Sequence, residues 1–551
     1  MHDDPSQHLQ SDVSRLLRQA LRAYEGGDFV KAEHFYNAVL QHQPKNFDAL
    51  HDLGLLHYRR GRSDTALVLI REALQADRGR AEGFASLGLV FHGLRRFADA
   101  LASYDEGLCI APDNAELLSR RGVALLELRR PHEALESFER ALAANPDHLD
   151  ALGNYGNALI KLNRPLEALA AFNRTLAVVP ENVQLLTNRA VALRRLDRPH
   201  EAVMSASRAL VARPDFAQAR FVESVARLTL GDFAAGWRGY EARWSVGLLA
   251  SQRRGFTAQL WLGQDSLEGK TILLHAEQGF GDTLQFVRYA PLLVERGAKK
   301  IILEVQRDLV RLLSGMAGVA AVIARGETLP PFDLHCPLLS LPLAFATVAA
   351  TVPAEIPYIA PRDSDVALWR ERLPRHRPLI GVAWSGDRSH DNDLNRSLRI
   401  ETLLPLLDLP GVSFVSLQHA VREEDATILR KHPKVLASGE AFGDFADTAA
   451  AVAALDAVIS VDTAVAHLAG AMGKPLFLLL PFAADFRWLR ERQDSPWYPT
   501  ARLYRQPKFG DWDSVIPTLR QDLLRQDFLR QDLLRQDLAR ADFVTVRKMS
   551  A

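Results

Sequence analysis

Residues 122–156 read GVALLELRRPHEALESFERALAANPDHLDALGNYG, a stretch that opens and closes on glycine at a spacing of 34. The same spacing extends outward in both directions through three sets of residues that stay in phase. The small residues are Gly54, Gly88, Gly122, Gly156 and Ala190, the alanines are Ala32, Ala66, Ala100, Ala134, Ala168 and Ala202, and the prolines are Pro44, Pro112, Pro146, Pro180 and Pro214. A fixed period of this length predicts a repeat architecture of stacked helix pairs.

Aromatic residues recur four places after the alanines, one helical turn further along the same face. They are Tyr36, Tyr104, Phe138 and Phe172. We expect the small residue to let the two helices of a unit approach, the aromatic ring to fill the gap to the next unit, and proline to end each second helix. These places resemble tetratricopeptide (TPR) repeats, with about seven units between Val13 and Val246. The resemblance implies a groove that holds a protein or peptide, and a spacer or dimerisation element is the alternative.

The last unit departs from this pattern. Ser224 stands at the place of the glycine, and the segment Gly231 to Trp237 is rich in small and aromatic residues, with Tyr240 and Trp244 beyond it. Terminal repeats of a stack are commonly atypical because they cover its end. We therefore predict a capping repeat that docks on the next domain.

Length, charge and cysteine content exclude several classes of protein. A chain of 551 residues exceeds what one hydrophobic core usually serves, so several structural units are expected. The 67 Lys and Arg balance the 67 Asp and Glu, which leaves no overall field toward nucleic acid or an anionic membrane. Cys109 and Cys336 have no metal-ligand spacing, and neither a signal-peptide pattern nor a membrane-length apolar run is present. We predict a cytoplasmic protein with no membrane span, no bound metal and no nucleic-acid partner.

After about Gly255 the period stops, and apolar runs begin to alternate with helical patterns as in βαβ units. The predicted strands are 270–275, 300–305, 412–418, 457–461 and 476–480, with another beginning at Leu379, and the predicted helices are 282–296 and 463–472. A proline-rich stretch, Pro353 to Pro361, separates the two sets. The sequence therefore predicts two Rossmann-like lobes that face a cleft.

Three loops of this half end strands and lead toward helices. They are Glu277 to Thr283, Trp384 to Arg388 with Asn395 to Leu398, and Ser460 to His467. In open parallel sheets ligands bind at the carboxyl ends of the strands, where helix N-termini direct backbone N–H groups at anions. We therefore expect these loops to line the cleft.

The loops, in this order, resemble the heptosyltransferase-like glycosyltransferases (glycosyltransferase family 9) over roughly residues 269–517. Gly281-Asp282 matches the family's acidic residue near the acceptor, and Asp462, Thr463 and His467 match its Asp-Thr-x-x-x-His segment. The resemblance implies a GT-B fold and an inverting, metal-independent transfer from a nucleotide sugar, with no cofactor. Joined to TPR repeats, the chain also resembles bacterial TPR-glycosyltransferases and protein O-linked N-acetylglucosamine transferases, which implies a protein or glycan acceptor.

The resemblance assigns roles that the chemistry of sugar transfer requires. Asp282 would deprotonate the acceptor hydroxyl, while Arg396 and the helix start at Thr463 and Ala464 would stabilise the departing diphosphate. Asp462 would bond donor hydroxyls or cap its helix. The predicted site residues are Asp282 as the base, Arg396, Ser397, Asp462, Thr463, Ala464 and His467 on the donor side, and Gln278, Gly279 and Gly281 on the acceptor side.

Each assignment has a structural alternative. Asp282 is also a suitable N-terminal capping residue, His467 a packed histidine and Arg396 a surface charge, and the region Trp488 to Tyr498 is predicted to pack within its lobe more than to cover the cleft. The chain departs from the family at Ala464, where glycine is usual, and at Arg396, which no tryptophan follows. Heptose is therefore disfavoured as the sugar.

Two other functions compete with glycosyl transfer. One is a TPR interaction scaffold whose α/β module is inactive. The other is a dinucleotide oxidoreductase, indicated by Gly279-x-Gly281 after a strand, although Leu284 occupies the place of the fingerprint's third glycine.

The end of the chain repeats a five-residue unit, LRQDL, from Leu519 to Phe543. Its leucines spread around a helix instead of forming one stripe, so a dispensable tail is predicted in preference to a partner-binding helix. The whole chain is predicted as an all-α TPR solenoid followed by an α/β GT-B module of two Rossmann-like lobes. The predicted boundaries are an extension at 1–12, repeats at 13–246, lobes at 255–360 and 361–517, and the tail at 518–551.

Overall fold

The computed structural model describes residues 5–375, 378–390, 392–432, 435–437 and 439–525. Of the tail predicted over residues 518–551, the part from residue 526 onward lies outside these ranges. The chain divides into two compact units, residues 1–188 and 189–551. In the first unit consecutive helices pack on one another. They are α1 (Pro5–Glu25), α2 (Phe29–His42), α3 (Phe47–Arg59), α4 (Ser63–Ala76), α5 (Ala81–Gly93), α6 (Phe97–Ile110), α7 (Ala115–Glu127), α8 (Pro131–Ala144), α9 (Leu149–Lys161) and α10 (Pro165–Val178), and α11 (Val183–Arg195) holds the division.

The periodic glycines lie where an aromatic ring of the same unit covers the helix. A Cβ atom added at Gly122 would lie 2.6 Å from the ring of Phe138, and one added at Gly156 would lie 2.5 Å from the ring of Phe172. The predicted close approach of the two helices is therefore confirmed. The ring lies against the glycine of its own unit. That it also fills the gap to the next unit stays a prediction.

A fourth periodic set becomes visible only in the backbone. The turn between the two helices of each unit carries one residue with positive φ. The set is Gly27, Gly61, Arg95, Arg129, Asn163, Asp197 and Gly231, at the repeat spacing. A left-handed residue at this place turns the chain sharply enough for the second helix to fold back on the first.

The second unit begins with the end of the repeats and continues into two sheets. Its first helices are α12 (Pro199–Ala212), α13 (Ala217–Thr229), α14 (Phe233–Tyr240) and the short α15 (Gly247–Ala250). Trp237 of α14 packs edge-on against Phe286 and Phe486, with ring centroids 6.1 and 5.6 Å away. The predicted docking of the last repeat on the α/β part is confirmed.

The first sheet has five parallel strands in the order β1-β5-β2-β3-β4. The strands are β1 (Gln259–Leu260), β2 (Thr271–His275), β3 (Lys300–Val305), β4 (Ala321–Ala324) and β5 (Leu334–Pro337), and the helices are α16 (Phe280–Phe286), α17 (Ala290–Glu295), α18 (Arg307–Leu313) and α19 (Leu341–Ala344). The helix predicted over 282–296 begins two residues earlier, and a 3-10 turn over Val287–Tyr289 divides it.

The second sheet has six parallel strands in the order β11-β10-β9-β6-β7-β8. The strands are β6 (Leu379–Ala383), β7 (Ser413–Ser416), β8 (Val435–Ala437), β9 (Ala457–Val461), β10 (Leu476–Leu480) and β11 (Ala501–Arg505), and the helices are α20 (Asp363–Arg372), α21 (Asp393–Arg396), α22 (Ile400–Leu407), α23 (Glu423–Leu429), α24 (Phe445–Ala453), α25 (Ala464–Ala471) and α26 (Val515–Arg525). β6, β9 and β10 are buried throughout, as apolar strands covered on both faces should be.

The last helix, α26, belongs to the core of the second sheet. Leu519 and Leu523, from the first LRQDL copy, are fully buried there. The boundary predicted at residue 517 therefore falls inside this helix. Among the helices of the described ranges, none combines the length and the apolar character needed to cross a membrane.

Candidate ligand-binding site

The loop after β2 carries the predicted acceptor-side residues. α16 begins directly after Gly279, which places Asp282 in the third helical position. There Oδ2 of Asp282 accepts a hydrogen bond of 2.9 Å from the backbone N–H of Gly279. Oδ1 is ion-paired with Arg487. The capping residue is therefore Gly279, and not Asp282 as the structural alternative predicted, although Asp282 stabilises the helix start from its third position. Asp282 also faces a cation from the second sheet.

The rest of this loop is anchored to the last repeat. The side-chain amide of Gln278 donates to the Tyr240 hydroxyl at 3.2 Å, and the backbone carbonyl of Gln278 accepts from Gln306 at 2.8 Å. Glu277, one residue earlier, is buried and paired with Arg243. The loop is thus held on both sides before any ligand is bound.

The loop after β9 leads into α25, the helix that was predicted to receive an anion. Its N-terminal boundary residue is Thr463, whose hydroxyl lies 3.2 Å from the hydroxyl of Ser460. Arg396 reaches this loop from α21, and its Nη1 donates to the carbonyl oxygen of Asp462 at 3.0 Å. Arg396 is therefore not a free surface charge, because it holds the loop at the carboxyl end of β9.

Ser397 and Gly386 complete the second-sheet side. The hydroxyl of Ser397 accepts the backbone N–H of Gly386 at 2.9 Å and donates to Asp393 at 2.5 Å. A Cβ atom at Gly386 would lie 2.5 Å from the Arg396 guanidinium, so glycine leaves room for that side chain. Among the residues that the structure describes, Nε of Arg396 is buried without a hydrogen-bond partner and lies 4.0 Å from Oδ1 of Asp393, while its Nη1 is engaged.

The loops of the two sheets meet at Gly281. A Cβ atom there would lie 2.7 Å from Cδ2 of His467 and 3.6 Å from Cα of Ala464. Beside this contact Phe280 packs against Phe445, with ring centroids 4.9 Å apart. The structure thus brings Gly281 of the predicted acceptor side next to Ala464 and His467 of the predicted donor side.

His467 is packed and partnered within this site. It is 5% exposed, its Nδ1 lies 2.9 Å from the Tyr498 hydroxyl, and its ring stacks on Trp488. Its Nε2 lies 3.7 Å from Oδ1 of Asp462. Trp488, Trp497 and Tyr498 are fully buried, so this region packs as predicted. The packing is not confined to its own lobe, however, because the ring of Trp497 lies 5.7 Å from that of Phe286 in the first sheet's helix α16.

Charge and burial shift several pKa values at the site. Burial, followed by the charge of Arg487, lowers the pKa of His467 to about 3, so the imidazole is neutral at physiological pH. Burial and the nearby Asp485 raise the pKa of Asp462 to about 6. Burial also opposes ionisation of Asp485, but Arg487 outweighs it and holds the pKa of Asp485 below its usual value. Arg487 is thus the dominant cation for His467 and Asp485, whereas Arg396 is the larger cationic influence on Asp462.

Arg487 was missed by the sequence reasoning. It follows β10 in a 3-10 turn over Phe486–Trp488, one of the carboxyl ends where parallel sheets bind ligands. A charged pair, Asp485 and Arg487, in the loop that follows an apolar strand is the signal that could have identified it. Within the described part of the chain, no three or more His, Cys, Asp or Glu side chains are grouped to hold a metal ion.

Comparison with known proteins gives two kinds of match. Tetratricopeptide-repeat family profiles match residues 23–87 in one case and residues 119–183 and 156–215 in another. Protein FlbA of Caulobacter vibrioides (strain ATCC 19089 / CIP 103742 / CB 15) is 28% identical over 326 residues, which are 55% of this chain and 54% of FlbA. The chain therefore spans about half the length of this curated relative.

Solved structures give weaker similarity. A tetratricopeptide repeat protein from Parabacteroides merdae ATCC 43184 is 19% identical with a TM-score of 0.37, covering 43% of this chain and 94% of that protein. PilF of Pseudomonas aeruginosa is 16% identical with a TM-score of 0.36, covering 39% of this chain and 97% of PilF. By the family profiles, the first half of the chain contains tetratricopeptide repeats.

Proposed function

We propose that the second unit is a GT-B glycosyltransferase that moves a sugar from a nucleotide-sugar donor to a protein or glycan acceptor. The observation that carries the proposal is the meeting of loops from the carboxyl ends of two parallel sheets, where Gly281 lies against His467. Such edges are where open α/β sheets bind nucleotides, and two facing edges accommodate a donor and an acceptor.

The chemistry requires few groups, and the site contains them. Asp282 would accept the proton of the acceptor hydroxyl as its oxygen attacks the anomeric carbon. The bond from that carbon to the diphosphate would break, with inversion at the carbon. Arg396 and the backbone N–H groups that open α25 would stabilise the charge on the departing diphosphate. No protein-bound metal is needed for these steps.

The neutral state of His467 narrows its role. A histidine with a pKa of about 3 offers no positive charge to a phosphate at physiological pH. Its Nδ1 is engaged with Tyr498 and its ring stacks on Trp488. We therefore assign His467 to shaping the contact with Gly281 and to hydrogen bonding through Nε2, and we leave the cationic role to the arginines.

The repeats would bind the acceptor or a protein partner. A row of side-chain amides links α9 and α11, with Gln184 donating to Asn188 at 3.0 Å and Asn188 donating to Asn157 at 2.8 Å. Amides both donate and accept, so this row is suited to an extended peptide backbone. On this assignment, alanine at Asn157 and Asn188 should raise KM for the acceptor and leave kcat unchanged.

The first test is a thermal-shift screen of the full-length protein against UDP-, GDP-, ADP- and dTDP-linked sugars, because a ligand that binds the folded state raises the melting temperature. The second is the variant Asp282→Asn, which should still bind the donor and lose transfer by two or more orders of magnitude. Asp494→Asn, at a solvent-exposed carboxylate, is the matched control. Unchanged transfer in Asp282→Asn would remove Asp282 as the base.

The second candidate is a TPR interaction scaffold with an inactive α/β unit. It is favoured by the family profiles, which match the repeats. Absence of a thermal shift with every nucleotide sugar, together with binding of a protein partner by residues 1–188, would favour it over the transferase.

A further inference from the structure

We propose that Arg487 is an exchangeable partner, held by Asp282 in the free protein and transferred to the donor's diphosphate when the nucleotide sugar binds. The inference rests on the proposed glycosyl transfer. It adds a catalytic residue for the leaving group and an order of events, because binding of the donor would release the base that activates the acceptor.

The first support is the set of contacts that Arg487 makes. Its guanidinium is ion-paired with Asp282 through Nη2, donates to Asp485 through Nη1 at 2.7 Å, and donates to Gln285 through Nε at 2.7 Å. Asp282 and Gln285 belong to the first sheet's helix α16, whereas Asp485 belongs to the second sheet. All edges of the guanidinium are therefore used, and only 8% of the residue is exposed.

The second support is the state of Asp282. One oxygen accepts the Gly279 N–H and the other is paired with Arg487. The ion pair with Arg487 therefore competes with any hydrogen bond that an acceptor hydroxyl would make to the same oxygen. While this pair persists, Arg487 occupies the oxygen that the proposed base would use. Loss of Arg487 would free one oxygen, while the Gly279 N–H would keep the carboxylate in place.

The third support is the position of Arg487 relative to α25. After burial, the charge of Arg487 is the largest influence that lowers the pKa of His467, a residue in the first turn of α25. The guanidinium thus acts at the helix start where a diphosphate would bind. A planar guanidinium binds two phosphate oxygens at once, and a diphosphate carries more charge than a single carboxylate.

The remaining contacts favour a local exchange. Phe486 lies under the guanidinium, 4.6 Å from ring centroid to Cζ, and Gln285 holds Nε. These two contacts can fix the guanidinium plane while the Nη2 end changes partner. In the transfer step the acceptor oxygen bonds the anomeric carbon, its proton passes to Asp282, and the diphosphate leaves with both bonding electrons, stabilised by Arg487.

The test is calorimetric titration of the full-length protein with UDP, GDP, ADP, dTDP and pyrophosphate. We expect Arg487→Gln to weaken binding of the preferred diphosphate by about 10- to 100-fold, as loss of a charged hydrogen bond predicts, with Arg487→Lys intermediate. Asp282→Asn should tighten it by at least about threefold, because Arg487 no longer has to leave a carboxylate.

A double-mutant cycle separates exchange from simple charge repulsion. If Arg487 is the exchanging partner, Asp282→Asn tightens binding in the wild-type background and not in the Arg487→Gln background. Tightening of equal size in both backgrounds, or equal affinity of the wild type and Arg487→Gln, would overturn the inference. Arg492→Gln, at a partly exposed arginine paired with Asp494, is the control and should bind as the wild type does.

The outcomes distinguish this inference from the proposed function. If the wild type binds none of the five ligands, the proposed function and this inference both fail. If the wild type binds and the cycle shows no coupling, only the exchange fails. Thermal unfolding of each variant shows whether it folds. If Arg487→Gln does not fold, the cycle is carried out with Arg487→Lys. In that background Asp282→Asn should tighten binding less than it does in the wild type.

Discussion

The guanidinium of Arg243, at the end of the repeats, is fully buried and donates to both carboxylate oxygens of Glu277, with Nη2 at 3.0 Å from Oε1 and Nε at 3.2 Å from Oε2. The same guanidinium bonds Ser340 at 2.7 Å. Glu277 opens the loop that carries Asp282. The last repeat is thus connected to the candidate site by a buried ion pair.

We expect Arg243→Ala to lower the free energy of unfolding of the second unit by about 3–5 kcal/mol, because Glu277 would be left buried without a counterion. Replacing Arg243 together with its buried partner, in Arg243→Met with Glu277→Leu, should cost less than the single change, because the only carboxylate that then loses its contact with Arg243 is the more exposed Glu241. Urea titration followed by tryptophan fluorescence measures both. Equal losses in the single and double variants would show that the pair itself stabilises little beyond its packing.

The repeat glycines allow a second prediction. A Cβ atom at Gly156 would lie 2.5 Å from the ring of Phe172. Overpacking costs about 1–3 kcal/mol, whereas replacing glycine by alanine inside a helix gains roughly 1 kcal/mol. Gly156→Ala should therefore be destabilising by up to about 2 kcal/mol, despite the better helix propensity.

Phe172→Leu supplies the control for Gly156→Ala. The double variant should lose less stability than the sum of the two single losses, because the smaller side chain makes room for the added methyl group. Strict additivity in thermal unfolding would mean that the ring does not limit this position. Ala190, at the place equivalent to Gly156, is followed by Ala206 at the aromatic place, which is the natural counterpart of this combination.

The repeats could be predicted because their determinant is steric and local to one residue type. The position of Gly122 requires a small residue because a ring covers it. The equivalent positions require the same, so the spacing of small residues can be seen in the sequence. The turn residues repeat with the same period, but the sequence does not reveal it, because residues as different as Arg95, Asn163 and Gly231 adopt the same positive φ. A left-handed conformation costs an ordinary residue only about 1–2 kcal/mol, so no single residue type is enforced.

The candidate site could be predicted in part for a similar reason. Strand ends are recognisable from apolar runs, and this placed Asp282 and Asp462 at the edges of their sheets. The contact between Gly281 and His467 depends on how two distant segments approach, which no local pattern encodes. Arg487 was missed for the same reason, because its partners come from separate elements.

The pH dependence of stability provides a third prediction through His275, at the end of β2. Its Nε2 lies 3.3 Å from Nδ1 of His335, and it is 2% exposed. Burial, followed by His335, lowers the pKa of His275 to about 3. The unfolded chain, with a pKa of about 6.5, then binds more protons than the folded one, so stability is present above about pH 6.5 and is lost as pH falls toward 3.

Between pH 6.5 and pH 5 this histidine should account for a loss of about 2 kcal/mol. In His275→Gln that contribution is absent, so the difference in unfolding free energy between the wild type and the variant should shrink by this amount as the pH is lowered. Urea titrations at pH 7.5, 6.0 and 5.0 measure the difference. Parallel pH profiles would show that His275 is not held neutral by the fold.

The last prediction concerns α26, which contains the first LRQDL copy. Leu519 and Leu523 are fully buried, and Asp522 accepts from the Tyr504 hydroxyl at 3.0 Å. Leu519→Ala and Leu523→Ala should each lower the free energy of unfolding by about 2–5 kcal/mol through lost burial and the resulting cavity. Gln521, between them, is exposed, and Gln521→Ala should change stability by less than about 0.5 kcal/mol.

Thermal and urea unfolding of these three variants decide whether the first LRQDL copy stabilises the second unit or belongs to the dispensable tail that the sequence predicts. We expect the first copy to stabilise the unit because the contribution of a leucine to the free energy of unfolding depends on its burial and not on the pentapeptide pattern. If Leu519→Ala and Leu523→Ala were as mild as Gln521→Ala, α26 would contribute nothing to the second unit. A loss confined to the two leucines would instead move the functional end of that unit from residue 517 to residue 525.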